Sequence, residues 1–137
     1  MNKTAKIVIV LILALAVTAT IALKQKSGSH PLVVIESNGL PTLIDLGSST
    51  CIPCKMMAPI LERLKKEYTG IFNVEFIDVR ENPDAWKKYG IRVIPTQIFF
   101  DADGKERFRH EGFFSGEYIL STWKKFDIDV TKKQEQE

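Results

Sequence analysis

A chain of 137 residues, 45% hydrophobic and 26% charged, has material for one compact domain and not for two. Its formal net charge of +2 and 9% aromatic content lack the basic excess of a nucleic-acid binder and the acidic bias of a disordered solubiliser, so no nucleic acid is expected as a partner. Two cysteines occur, Cys51 and Cys54; a disulfide between positions so close closes a tiny loop, poor as a staple and suited to being made and broken.

Residues 7–23 form an apolar run without a charge, at the short end of the roughly 17–25 residues a membrane-spanning helix needs. Lys3 and Lys6 precede it, which favours a cytoplasmic N-terminus and everything after Leu23 outside, although Lys24 and Lys26 weaken the asymmetry. The competing reading is a cleaved signal peptide, with Ala14, Ala16 and Ala19 as processing sites. Either way the expectation is an exported domain, on the extracytoplasmic face and tied to the membrane through 7–23, or secreted after cleavage. The expected division is an anchor or signal over 1–23, a polar linker over 24–31, a folded domain over 32–128 and a charged tail over 129–137.

Within the domain, 43–47 suits a strand buried on both faces, and a helical pattern follows from Cys51 to about Tyr68, with Met57, Ile60, Leu61 and Leu64 along one side. A second strand spans 74–79. Asn82 then reads as a cap with Pro83 at the first helical position, opening a helix that runs to Tyr89 and stops at Gly90. Strands over 97–100 and 105–110 flank the turn Asp101–Ala102–Asp103–Gly104 as an antiparallel hairpin. Ser115 caps a last amphipathic helix bearing Tyr118, Ile119, Trp123 and Phe126. The segment 32–35 reads equally as an edge strand or a short helix. The order βαβα then ββα predicts an α/β fold: a mixed four- to five-stranded sheet with helices on both faces, preceded by one N-terminal hydrophobic helix.

Cys51–Ile52–Pro53–Cys54 falls where the first strand ends and a helix begins, so the first sulfur lies beside unpaired backbone N–H groups and the positive end of the helix dipole, which favours the thiolate. A thiolate is the nucleophile of disulfide exchange, and the i, i+3 spacing puts the second thiol behind it. Cys51 is expected to attack and Cys54 to resolve the mixed disulfide. Half of a zinc site and an inert structural disulfide are the competing readings. Zinc needs two further ligands, and the two histidines are His30 in the linker and His110 on a separate strand. Neither a metal nor a cofactor is expected.

The stretch Thr42–Leu43–Ile44–Asp45–Leu46, then Cys51 through Leu61 (CIPCKMMAPIL), resembles the active-site strand and helix of thioredoxins, and Tyr89–Gly90–Ile91–Arg92–Val93–Ile94–Pro95–Thr96 resembles the segment that carries their cis-proline. The likeness covers about 41–126. It implies that Asp45 is the family's buried carboxylate, moving a proton to or from Cys54, and that Pro95 is the cis-proline beside the cysteines. It implies a substrate surface of Ile94, which offers backbone hydrogen bonds to an extended chain, with Thr50, Ile52, Pro53 and Gly112. Pro59 matches the proline inside the family's helix. The departures are Thr50 where most thioredoxins have tryptophan, Gly47 in place of a second aromatic, Ile52 in place of the usual glycine, and Phe76 where many carry a lysine near the aspartate. Thr50 and Gly47 predict a smaller, more polar docking surface, and Phe76 predicts that any proton relay using that lysine is missing.

With the export expected from residues 7–23, the resemblance implies a thiol:disulfide oxidoreductase outside the cytoplasm, a reductase of protein disulfides that takes electrons from a membrane donor of cytochrome-c-biogenesis type and passes them to oxidised proteins such as apocytochrome c. A dithiol oxidase of secreted proteins is the alternative within the same chemistry. A non-catalytic peptide-binding module built around Pro95 and Gly112 is the alternative outside it.

Overall fold

The computed structural model describes residues 33–131. The apolar run 7–23, the linker and the end of the tail lie outside the described residues; among those described, no helix is long and apolar enough to cross a membrane.

Four strands form one sheet: β1 (Thr42–Gly47), β2 (Asn73–Asp78), β3 (Thr96–Phe100) and β4 (Glu106–Glu111), in the order β2-β1-β3-β4. β1 and β2 run parallel, so the chain must cross over between them, and helix α1 (Ile52–Glu67) makes that crossing. β3 is antiparallel to β1 and β4 to β3. Every residue of β1 and β3 is buried, as expected of central strands covered on both faces, whereas β2 and β4 at the edges are mixed.

Strand pleating divides the core in two. On one face Leu43, Val74 and Phe99 meet Met57, Leu61 and Leu64 of α1 and Ile119 and Trp123 of α3 (Gly116–Lys125). On the other, Ile44, Leu46, Ile98 and Phe100 meet Val33, Ala85, Tyr89 and Ile91. Ser115 caps α3 as the sequence predicts, its hydroxyl accepting from the Tyr118 backbone N–H. Val130, placed in the tail by its charged surroundings, is buried in the first cluster, so packing continues past residue 128.

One local expectation is corrected, and one alternative left open by the sequence is decided. Helix α2 covers only Ala85–Lys88, with Asp84 at its N-cap position. Asn82 does not cap it, because its backbone N–H and its side-chain amide both donate to the Asp78 carbonyl and close the turn leaving β2. The segment 33–35 is extended, not helical: Val34 forms a bridge with Lys105, and Ile35 donates to the Gly104 carbonyl. Gly104 is needed there twice over, since its φ is +76° and a Cβ would sit 2.2 Å from the Ile35 carbonyl oxygen.

The register brings the candidate residues to one end of the sheet. Gly47 pairs with Asp78, Leu46 with Thr96, and Thr96 with Glu111. The loop to Cys51, the turn after β2, the Ile94–Pro95 segment and Gly112 therefore emerge side by side.

Candidate active site

Cys51 occupies the N-cap of α1 with extended backbone, and Pro53, which has no N–H to leave unpaired, lies in the first turn. No side chain caps this terminus and no acidic residue stands in its first turn, so no side-chain acceptor competes for the orphan N–H groups at the positive end of the helix that Cys51 opens. The loop that delivers it is held from β2. The Asp78 carboxylate accepts from the Ser49 and Arg80 backbone N–H groups, both at 2.9 Å, and these bonds hold its pKa below the usual carboxylate range. Arg80 also donates to the Thr50 hydroxyl at 2.8 Å, and Thr50 and Ser48 share a hydrogen bond at 3.1 Å. Neither Asp78 nor Arg80 is singled out by the sequence, where each is merely a polar residue at a strand end.

Cys51 is half-buried, whereas Cys54, one turn along α1, is 3% exposed; both are free thiols. The Cys54 thiol is pushed up to about 12, first by burial, then by its hydrogen bond to Cys51 and by the charges of Cys51 and Asp45, with a backbone hydrogen bond at Ser48 acting the other way. Asp45 lies in the middle of β1 with no exposed surface. Burial raises its carboxyl to about 6, against the lowering effect of a hydrogen bond from the Gln97 amide at 2.6 Å.

Gly47 explains how the sheet accommodates this centre. A Cβ there would lie 2.9 Å from the Phe76 ring and 3.2 Å from Cys54 Sγ, so the missing side chain is what lets both approach β1. Phe76, 48% exposed, supplies from β2 an aromatic that position 47 lacks. A cavity of about 410 Å³ lies between α1 and β2, with Cys54, Phe76, Ala58, Leu61 and Val74 in its wall.

The Ile94–Pro95 peptide is cis, and the Thr96 hydroxyl donates to the Val93 carbonyl at 2.8 Å to close that turn. Gly112 donates its backbone N–H to the Pro95 carbonyl at 2.8 Å. Pro95 is buried, Ile94 packs partly into the second core cluster, Thr50 is exposed and Pro53 half-buried. Ile52, 74% exposed, stands with exposed Val93 and Phe113 around this end of the sheet. The surface is therefore less polar than Thr50 and Gly47 suggest: Phe76, Ile52, Val93 and Phe113 all present apolar area.

The family model described as Thioredoxin matches residues 24–125. The chain belongs to the thioredoxin family. Its close cysteine pair, Cys51 and Cys54, is of the thioredoxin redox type. It is 45% identical over 60 residues to the chloroplastic M-type thioredoxin of Pisum sativum, a match covering 44% of this chain and 35% of that protein. To a thioredoxin of Rickettsia conorii it is 43% identical over 67 residues, covering 49% of this chain and 63% of the relative. The chain thus spans less than two thirds of the length of either curated thioredoxin. Among solved structures, that of chloroplastic thioredoxin z superposes with a TM-score of 0.60 at 27% identity, covering 67% of this chain and 82% of that one.

Proposed function

We propose that this protein is a thiol:disulfide oxidoreductase that reduces protein disulfides through Cys51 and Cys54. The observation that carries the reading is the asymmetry of the pair: an accessible sulfur at an uncapped helix terminus, backed by a buried thiol with a buried carboxylate nearby.

The Cys51 thiolate attacks one sulfur of a substrate disulfide, forming a mixed disulfide and releasing the other substrate sulfur as a thiol. Cys54 then attacks Cys51 Sγ, which frees the second substrate thiol and leaves Cys51 and Cys54 joined. Two electrons pass from the protein dithiol to the substrate. With its pKa near 12, Cys54 is almost entirely protonated at neutral pH, so its proton must leave as it attacks. Asp45, near 6, is mostly ionised there and is the acceptor; general bases of this kind contribute at most roughly 10²–10⁴-fold. Pro95, Ile94, Gly112, Thr50, Ile52 and Pro53 form the surface on which an extended substrate lies, with apolar contacts from Ile52, Val93 and Phe113.

The finer reading is that the domain sits on the extracytoplasmic face, anchored by residues 7–23. There it is recharged by a membrane donor of cytochrome-c-biogenesis type and acts on oxidised proteins such as apocytochrome c. The charge-free run 7–23 behind Lys3 and Lys6 supports this placement. The direction of electron flow is supported by Ile52 and Pro53, which put no side-chain hydrogen-bond donor between the cysteines to stabilise a reduced thiolate. The couple should lie nearer the roughly −270 mV of thioredoxin than the roughly −120 mV of a strong oxidase.

Turnover of a model protein disulfide tests the activity: Cys51→Ser should abolish it, and unchanged turnover would remove the pair from the function. Equilibration with glutathione tests the direction, and a potential above about −170 mV would promote the oxidase alternative. Detergent-dependent release of the full-length chain from membranes is expected, whereas a soluble product beginning after Ala16 or Ala19 would establish a cleaved signal.

A further inference from the structure

Asp45 and Gln97 stand opposite each other on β1 and β3, both with 0% exposure, 52 positions apart in the chain. A fully buried glutamine side chain in β3, beside the apolar run Ile98–Phe99–Phe100, needs a reason, since burying an amide is unfavourable unless it is hydrogen-bonded. Its Nε2 donates to Asp45 Oδ1 at 2.6 Å, and this is the side-chain bond the carboxyl makes. Asp45 Oδ2 and Gln97 Oε1 have no protein partner although both are buried. Buried polar side-chain atoms are mostly satisfied in folded proteins, so two exceptions on touching side chains call for an explanation; among the described residues Trp123 Nε1 is a third, on a side chain that takes no part in the cysteine chemistry or in this hydrogen bond.

We propose that Gln97 is a positioning residue for thiol exchange: its amide holds Asp45 Oδ1 and turns Oδ2 to receive the proton that Cys54 gives up. The inference rests on the reading of Cys51 and Cys54 as an exchange pair. An amide can serve both states of the acid. With its NH₂ toward Oδ1 it donates to the carboxylate, and rotated about its last torsion it presents Oε1 to accept the O–H of the protonated form. The amide's effect on the carboxyl opposes that of burial, which preserves a base at neutral pH in a place where burial alone favours the acid.

The neighbours of the pair are accounted for on each side. From α1 the titratable groups are Cys54 and, beyond it, Cys51. From β2 the residue opposite Asp45 is Phe76, which does not titrate. From β4 the residue opposite Gln97 is His110, its ring stacked on Phe114 at 4.1 Å and its Nε2 3.3 Å from the Phe113 carbonyl oxygen. From α3, Ile119 and Trp123 pack on this face.

The test is resolution of a mixed disulfide, measured from pH 5 to 9 in the full-length chain. Gln97→Met keeps the length of the side chain and removes both the donor and the acceptor of the amide. It should slow resolution at pH 7 by roughly 3- to 10-fold and move the acid limb of the profile to higher pH, while alkylation of Cys51 keeps its rate. In an Asp45→Asn background the same substitution should have no further effect on resolution. Gln97→Leu provides a second apolar replacement if the methionine variant folds poorly, and ¹³C titration of the Asp45 carboxyl in either variant should show its midpoint raised. Wild-type resolution with an unshifted Asp45 midpoint would overturn the assignment, as would an undiminished effect in the Asp45→Asn background. If the wild-type protein forms no mixed disulfide at Cys51, the exchange reading itself falls and takes this one with it; an active wild type with an indifferent Gln97 removes only Gln97.

Discussion

Two adjacent rows of side chains cross the same face of the sheet, one pleat apart, and they have opposite characters. Val74, Leu43, Phe99 and Phe108 make the first row, and Phe76, Asp45, Gln97 and His110 make the second. The first is apolar throughout: Phe99 lies 4.7 Å from the Trp123 ring and 5.7 Å from that of Phe108, and Leu43 joins Met57, Leu61 and Leu64. The second places an acid and an amide at full burial in the same two central strands. The first row supplies stability by burial; the second spends some of it to hold the carboxylate that the proposed function makes the proton acceptor for Cys54. A shift of one pleat toward the active end of the sheet is enough to pass from one role to the other.

Breaking the apolar row should have the largest effect on folding. Leu43→Ala removes a side chain with no exposed surface from a cluster closed by two helices, and should cost about 2–5 kcal/mol in urea unfolding at pH 7. The Cys51–Cys54 potential of the folded fraction should be unmoved, and a large change in it would show that the rows are not separable.

Replacing the acid of the second row should act in the opposite direction, and only above acidic pH. The native carboxyl of Asp45 titrates near 6, above its ordinary value, so the native state holds the proton more tightly than the unfolded chain does. The stability this confers is complete below about pH 4 and is lost as pH rises through 6. Asp45→Asn does not titrate. Between pH 4 and pH 8 the difference in unfolding free energy should therefore move by up to about 3 kcal/mol in favour of the asparagine variant, while resolution of the mixed disulfide slows. Parallel stability curves for the two proteins would show that Asp45 is not held as an unfavourable buried acid.

The contrast between the rows also marks what the sequence makes legible. Alternating and helical periodicity place β1, α1, β3 and α3, because each buries a face whose spacing is written locally, and the strand-to-helix step puts Cys51 at a helix terminus. Asp45 stands out as a charge in an apolar run. Gln97 does not, since its importance lies in pairing with a residue 52 positions away, and register between distant strands leaves no local trace. Asp78 is hidden for the same reason: its carboxylate matters because β2 lies beside β1, where it can reach the Ser49 backbone. At Asn82 a sound capping signal loses to a competing local bond, as its donors turn back to Asp78. Val130 is misplaced because a single apolar residue among charged neighbours carries no period.

The smallest expected effect lies one further pleat along, at Gly47, where β1 presents neither an apolar side chain nor a polar one. Gly47→Ala introduces a methyl 2.9 Å from the Phe76 ring and 3.2 Å from Cys54 Sγ. The two neighbours differ in freedom: Phe76 is 48% exposed and can swing toward solvent, while Cys54 is fixed in α1 and 3% exposed. The overlap with the ring is therefore relieved cheaply, and alanine also restricts the unfolded chain more than glycine does, a gain of about 0.4–1 kcal/mol where the backbone permits it. Overpacking of roughly 1–3 kcal/mol is reached only if Cys54 has to move. The net change in unfolding free energy should stay within about 1 kcal/mol, while resolution slows, because the methyl presses on the sulfur that the proposed mechanism requires to reach Cys51. Adding Phe76→Ala to Gly47→Ala should remove the ring overlap and leave the sulfur contact, so the double variant should resolve no faster than Gly47→Ala alone. Full recovery of the rate in the double variant would show that Gly47 is there to accommodate Phe76 and not the resolving cysteine.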